Sequence, residues 1–209
     1  MPGLGKSQLV LQFSKLAYAS HAYAYIFWIS ATTIEKLSQG LTSILSLVDG
    51  KDRSDPDQAL RLVAARRWLE TSRNNWLLVL DDVTGDVIPF LREHLPRENS
   101  RGAIIITTRT GQVACEIVDA AAQKDYILKL KTLSIEQSAT LLIDVAGLGE
   151  SGDFDRKSVE SLVAQIGCLP LAVEQAGAYM KQKHIPANEL QMIYGENTLD
   201  TVSLHMHAF

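Results

Sequence analysis

Two short runs without a polar residue, 76–80 (WLLVL) and 103–106 (AIII), constrain this chain more than any other feature. They are too short for a buried helix and lack the alternation of a sheet with one wet face. They read as strands buried on both faces. Residues 23–30 (YAYIFWIS), aromatic and β-branched, read as a further strand, and 126–130 (YILKL) as another. Helical stripes lie between them. Leu9, Val10, Phe13, Leu16 and Ala17 follow Lys6 at helical spacing, a helix spans 34–48, and a polar loop (GKDRSDPD) follows it. Pro56 is placed to open a helix whose inward stripe is Leu60, Val63, Ala64 and Trp68. Strands alternating with helices predict a parallel sheet covered on both sides, the α/β class.

Past residue 132 only helical patterns follow. Ser134 and Gln137 form a capping box before Ala139, Leu142, Val145 and Ala146, with Gly147 as the C-cap. Val159, Leu162, Val163 and Ile166 make a stripe stopped by Gly167, Pro170 opens a helix to about Gln182, and Pro186 opens another. The expected organisation is an α/β domain over 1–132, an all-α subdomain over 133–195, and a frayed tail over 196–209.

Composition narrows the function classes. Apolar residues at 46% and charged residues at 21% are globular proportions, and a chain of 209 residues can bury a core without staples. A net charge of -4 argues against nucleic acid as the main partner. Arg61, Arg66, Arg67 and Arg73 are spaced as the wet face of one helix. Cys115 and Cys168, each among apolar neighbours and without metal-ligand spacing, read as reduced, buried thiols of a cytoplasmic protein. No apolar run reaches the roughly 20 residues of a membrane span, and Gln12 and Lys15 interrupt the N-terminal run that resembles a signal peptide.

Three motifs carry chemistry. Gly3-Leu4-Gly5-Lys6-Ser7 opens the first helix and is the distal half of a phosphate-binding loop, G-x-x-x-x-G-K-[ST]. Its glycines let backbone N–H groups converge on phosphate oxygens at a helix N-terminus. Lys6 would reach the β- and γ-phosphates, and the Ser7 hydroxyl would ligate Mg²⁺. The motif's first glycine and its strand would precede Met1. Next, 77–82 (LLVLDD) is an apolar strand ending in paired carboxylates, the form of a Walker B motif. Ionised groups at the end of a buried strand need partners, and a cation supplies one. Asp81 would hold Mg²⁺ through its water shell and Asp82 would polarise the attacking water. The plain alternative is a strand leaving into a charged turn. Finally, 103–109 (AIIITTR) is a strand ending in arginine, and strand C-termini line the ligand crevice of a parallel sheet. Arg109 there would face a γ-phosphate.

Together with the IFWIS strand and Gly167-Cys168-Leu169-Pro170-Leu171-Ala172, these motifs resemble those of NB-ARC domains, in the STAND class of P-loop NTPases. The match runs from Met1 to about residue 190, and G-x-L-P-L-A is its most specific element. The stretch 133–142 (LSIEQSATLL) is also similar, and AVEQAGAYM resembles fungal NLR-like members that often carry tetratricopeptide repeats downstream. The resemblance implies nucleotide binding by Gly3, Gly5, Lys6, Ser7, Gln8, Arg109 and Pro170, Mg²⁺ at Ser7 and Asp81, and a catalytic role for Asp82. It implies an ADP/ATP switch in signalling, of the innate-immunity or heterokaryon-incompatibility kind, in the cytoplasm. Its protein partners would be reached through flanking domains or self-assembly. It also implies truncation at both ends: the strand before the phosphate loop would lie between AIII and YILKL, so a chain starting at Met1 should fold and bind poorly. The winged-helix subdomain is missing too; His205-Met206-His207 lies too close to Pro170 to be its histidine motif and reads as tail.

Three functions stay open on sequence. One is a switch with slow or no hydrolysis, and another a cycling ATPase or nucleotide kinase. The last is a remnant that binds nothing and serves as a protein-interaction scaffold.

Overall fold

The computed structural model describes residues 2–48, 55–98, 101–120, 126–150 and 154–196. The expected tail, with His205-Met206-His207, falls almost wholly outside them, as does most of the GKDRSDPD loop. The chain divides into two compact units, one spanning Lys6–Leu128 and the other joining Pro2–Gly5 to the residues from Lys129 onward.

In the first unit, α1 (Lys6–Ala19), β1 (Tyr25–Ser30), α2 (Ile34–Leu47), α3 (Gln58–Thr71), β2 (Trp76–Val83), α4 (Ile88–His94), β3 (Gly102–Thr108) and α5 (Gly111–Ala120) follow in order. The strands form a parallel sheet in the order β1-β2-β3. β2 is central, and Trp76 through Leu80 are at most 1% exposed. Successive residues of a strand point to opposite faces. Leu78 and Leu80 join Leu37, Leu41, Leu62 and Leu69 in one core, while Leu77 and Val79 face the other way and are equally buried. Helices therefore cover both faces of β2, as the unbroken apolar run requires. The Trp76 indole donates to the Leu69 carbonyl at 3.0 Å, so its one polar group is satisfied within that core.

Several expectations fail here. Residues 126–130 form no strand: Tyr126 and Leu128 are 79% and 78% exposed, and a strand exists only through ladder bonds to a neighbour. No described strand lies on the free edge of β3 to supply them. Most of the α1 stripe is not an inward face: Leu9, Phe13 and Leu16 are exposed, and of the expected residues Ala17 is buried, together with Ser14. In α3 the buried row is Leu62, Ala65 and Leu69, with Leu60 and Val63 exposed, and only Trp68 of the expected stripe packs on the core, against Tyr25 and Phe27. That helix starts at the Asp57 cap, whose side chain accepts from the Ala59 N–H, rather than at Pro56. Cys115 is exposed, because α5 turns Val113 and Ile117 inward and Cys115 lies on its other side. Of the four arginines, Arg73 lies beyond the end of α3 and Arg66 pairs with Glu70 at 2.9 Å.

The second unit is helical: α6 (Ile135–Ala146), α7 (Arg156–Gln165), α8 (Pro170–Lys183) and α9 (Ala187–Glu196). Ser134 and Gln137 close the capping box, and Gly147 is the left-handed C-cap. Leu142, Leu162, Val163, Val173 and Met180 form its core.

Candidate functional site

The acids sit where β2 departs from regular pairing. Leu80 pairs with Ile106, but pairing resumes at Val83 with Thr108, so β2 holds one residue more than β3 across this step. Such a bulge leaves a residue out of the ladder and turns the strand. The extra residue is Asp82, at a left-handed φ of +60°. Strict alternation would put residue 82 on the core face shared by Leu78 and Leu80. The bulge puts Val83 there instead, 2% exposed within that core, and turns Asp82 toward the strand end.

Around it, the first unit brings together most of the sequence-predicted residues. The Ser7 hydroxyl, one residue into α1, donates to Asp81 Oδ1 at 2.7 Å. The Thr107 hydroxyl donates to the same oxygen at 2.6 Å. Arg109 grips Asp82 through Nε–Oδ1 at 2.8 Å and Nη2–Oδ2 at 2.6 Å, the paired geometry that favours arginine over lysine. Gly3 and Gly5 both hold φ of +78°, which glycine adopts without Cβ strain, and an added Cβ on Gly5 would meet nothing within 4 Å. Lys6 is half-buried and Gln8 exposed at the start of α1. Pro170 is the first residue of α8, in the second unit, behind Gly167 at φ +75° and Cys168 at φ +52°. Thr107 is the residue that sequence reasoning missed; its signal was a hydroxyl before the arginine of a strand-end motif.

The donor set suits a hard divalent cation. Ser7 and Asp81 offer oxygens only, and Mg²⁺ takes one or two protein oxygens and fills its shell with water and phosphate. Among the described residues no cluster of three or more His, Cys, Asp or Glu gathers at one point, so a site dominated by protein ligands, of the zinc kind, has no support there. A recess of about 530 Å³, lined by Tyr18, His21, Arg73 and Arg101 among others, lies at the opposite, N-terminal ends of the strands. The chemistry-bearing residues are at the carboxyl ends, where ligands of parallel sheets bind.

Residues 1–151 match the family model described as the NB-ARC domain. The chain belongs to the NB-ARC family. It is also 21% identical over 216 residues to a nucleotide-binding leucine-rich repeat (NLR)-like protein of Hyaloscypha variabilis, an alignment covering 97% of this chain and 21% of that protein. This NB-ARC chain thus spans about a fifth of the relative's length. NB-ARC is a nucleotide-binding P-loop family, and the three-stranded parallel sheet fits that fold. No helix among the described residues is long and apolar enough to cross a membrane.

Proposed function

We propose that this NB-ARC chain is an ADP/ATP-binding switch module of an NLR-like signalling protein, with slow or no hydrolysis. The observation that carries the reading is the joined network at the end of β2, Ser7–Asp81–Thr107 beside Asp82–Arg109. Residues 1–132 would form the nucleotide domain and 133–195 an ARC1-like helical subdomain. Lys6 and the backbone of Gly3 and Gly5 would hold phosphates, and Gln8 would continue that cradle. Mg²⁺, when bound, would neutralise phosphate charge; the Ser7 hydroxyl would ligate it and Asp81 would hold it through its water shell.

The Asp82–Arg109 pair ties any hydrolysis to the state of the arginine. The Asp82 carboxylate already receives two bonds from Arg109, so it is a poor acceptor for a water proton until that pair opens. A γ-phosphate would compete with Asp82 for the guanidinium, while ADP would leave the pair closed. A ligand shifts a conformational equilibrium only through unequal affinity for its two states, and this competition provides such a difference.

Calorimetry of ADP and ATP with and without Mg²⁺, followed by multiple-turnover hydrolysis, tests the reading. Binding of both nucleotides with little turnover is expected. Rapid turnover would place the chain among cycling ATPases, and no binding of either nucleotide would leave the interaction scaffold.

A further inference from the structure

The geometry assigns to Thr107 the role of positioning residue for both acids of the site: one hydroxyl builds the Asp81–Asp82 pair. A bulge strips ladder partners from the backbone groups it displaces. Here β3 replaces them with side chains. The Asp82 N–H donates to Thr107 Oγ1 at 2.8 Å, and the Val83 carbonyl accepts from Thr108 Oγ1 at 2.8 Å. Two adjacent threonines thus close the two sides of the bulge.

Thr107 does more than cap. A hydroxyl has one proton and two lone pairs. Because the Asp82 N–H can only donate, the Thr107 oxygen accepts there and its proton goes to Asp81 Oδ1 at 2.6 Å. The bonds run one way, from the Asp82 amide through Thr107 to the Asp81 carboxylate. Thr107 is 5% exposed, so water is poorly placed to substitute, and its β-branched side chain has few rotamers. Two consequences meet in one group. Asp81 is turned so that Oδ1 meets Ser7, and Asp82 is held in the left-handed turn that presents its carboxylate to Arg109. Neither acid needs the other's side chain; both need Thr107.

The role of Asp81 toward Mg²⁺ rests on the proposed nucleotide site, whereas the Asp82 bond does not, so the experiment reads both. In the full chain, Thr107→Val keeps shape and removes the hydroxyl, and Thr107→Ser restores it. By amide hydrogen exchange without nucleotide, the Asp82 N–H in Thr107→Val should exchange roughly tenfold faster than in the parent, while Val79 and Leu80 keep their rates. The serine variant should return to within about threefold of the parent. With nucleotide, the Mg²⁺-dependent gain in ATP affinity should fall roughly tenfold in Thr107→Val and be retained in Thr107→Ser, with metal-free ADP binding unchanged in both. Parent-like exchange at Asp82 in Thr107→Val, a serine variant that behaves as the valine one does, or equal losses for Mg·ATP and ADP would each overturn the assignment. If the parent binds no nucleotide, the switch reading fails and the exchange rates still decide Thr107. Thr107→Ala repeats the comparison should the valine variant not melt cooperatively.

Discussion

Arg109 and Asp82 are joined by two parallel hydrogen bonds at the carboxyl end of the sheet, with the arginine side chain 64% exposed and the aspartate side chain 25% exposed. An arginine so open to solvent can exchange one anionic partner for another at small cost, since exposed ion pairs contribute about 0–1 kcal/mol. That is the property a phosphate-reporting residue requires.

Replacing Arg109 with alanine should lower the preference for ATP over ADP by roughly tenfold, because only the γ-phosphate competes for the guanidinium. The ratio of the two dissociation constants measures it. An unchanged ratio returns Arg109 to a surface ion pair. Asp82→Asn should leave ADP affinity nearly intact, lower residual hydrolysis and, by removing the anion that competes for Arg109, strengthen ATP binding slightly.

Asp81→Ala should weaken Mg·ATP more than metal-free ADP, since the lost carboxylate acts through the cation, bracketed with the Ser7 hydroxyl. Calorimetry with magnesium and with chelator separates the two ligands. Equal losses would remove the metal role.

Acid should loosen α7 at a defined place. Asp155 caps that helix; its carboxylate accepts from the Ser158 hydroxyl and the Lys157 N–H, and these bonds hold its pKa below the ordinary 3.8. A carboxyl whose folded pKa is depressed stabilises the fold above its unfolded value, and the contribution fades as pH falls through the folded one. The melting-temperature gap between the parent and Asp155→Asn should therefore be constant near neutrality and shrink below about pH 4. A gap independent of pH would show that the charge of Asp155 adds nothing to its cap.

Thiol labelling should split the two cysteines. Cys115 is exposed and should react in the native chain at a rate near that of a free thiol. Cys168 is buried, its thiol set toward the Val163 carbonyl, and should react only on unfolding. Comparable native rates for both would contradict the described packing of the α7–α8 turn.

Three of the four expected strands were readable, because a continuous apolar run of five residues such as WLLVL leaves few alternatives, whereas YILKL, interrupted by Lys129, forms none. The capping box at Ser134 was readable for a similar reason: its chemistry is complete within four residues. Helix faces were less readable. In α3 apolar side chains fall at Leu60, Leu62, Val63, Ala64, Ala65, Trp68 and Leu69, nearly all round the helix, so spacing cannot choose the buried row. In α1 spacing correctly groups Leu9, Phe13 and Leu16 but says nothing of whether that face is covered. At the site, Lys6, Ser7, Asp81, Asp82 and Arg109 stood out by residue type and place. The bulge did not, since an inserted residue is defined by its partner strand, and with it went the role of Thr107.

The bulge also makes the length of β2 as consequential as its composition. Deleting Asp82 alone would do more than remove one carboxylate. Without the added residue, Val83 would inherit position 82 in a regular ladder and could still point inward, but Thr107 and Thr108 would find backbone groups already engaged with β3. Asp81 would lose the hydroxyl that sets it, and Arg109 would lose its anion. A frame-preserving loss of three nucleotides would thus leave the hydrophobic sheet in register while dismantling the polar end it supports. In this strand, the capacity to fold and the capacity to sense are encoded at separable positions.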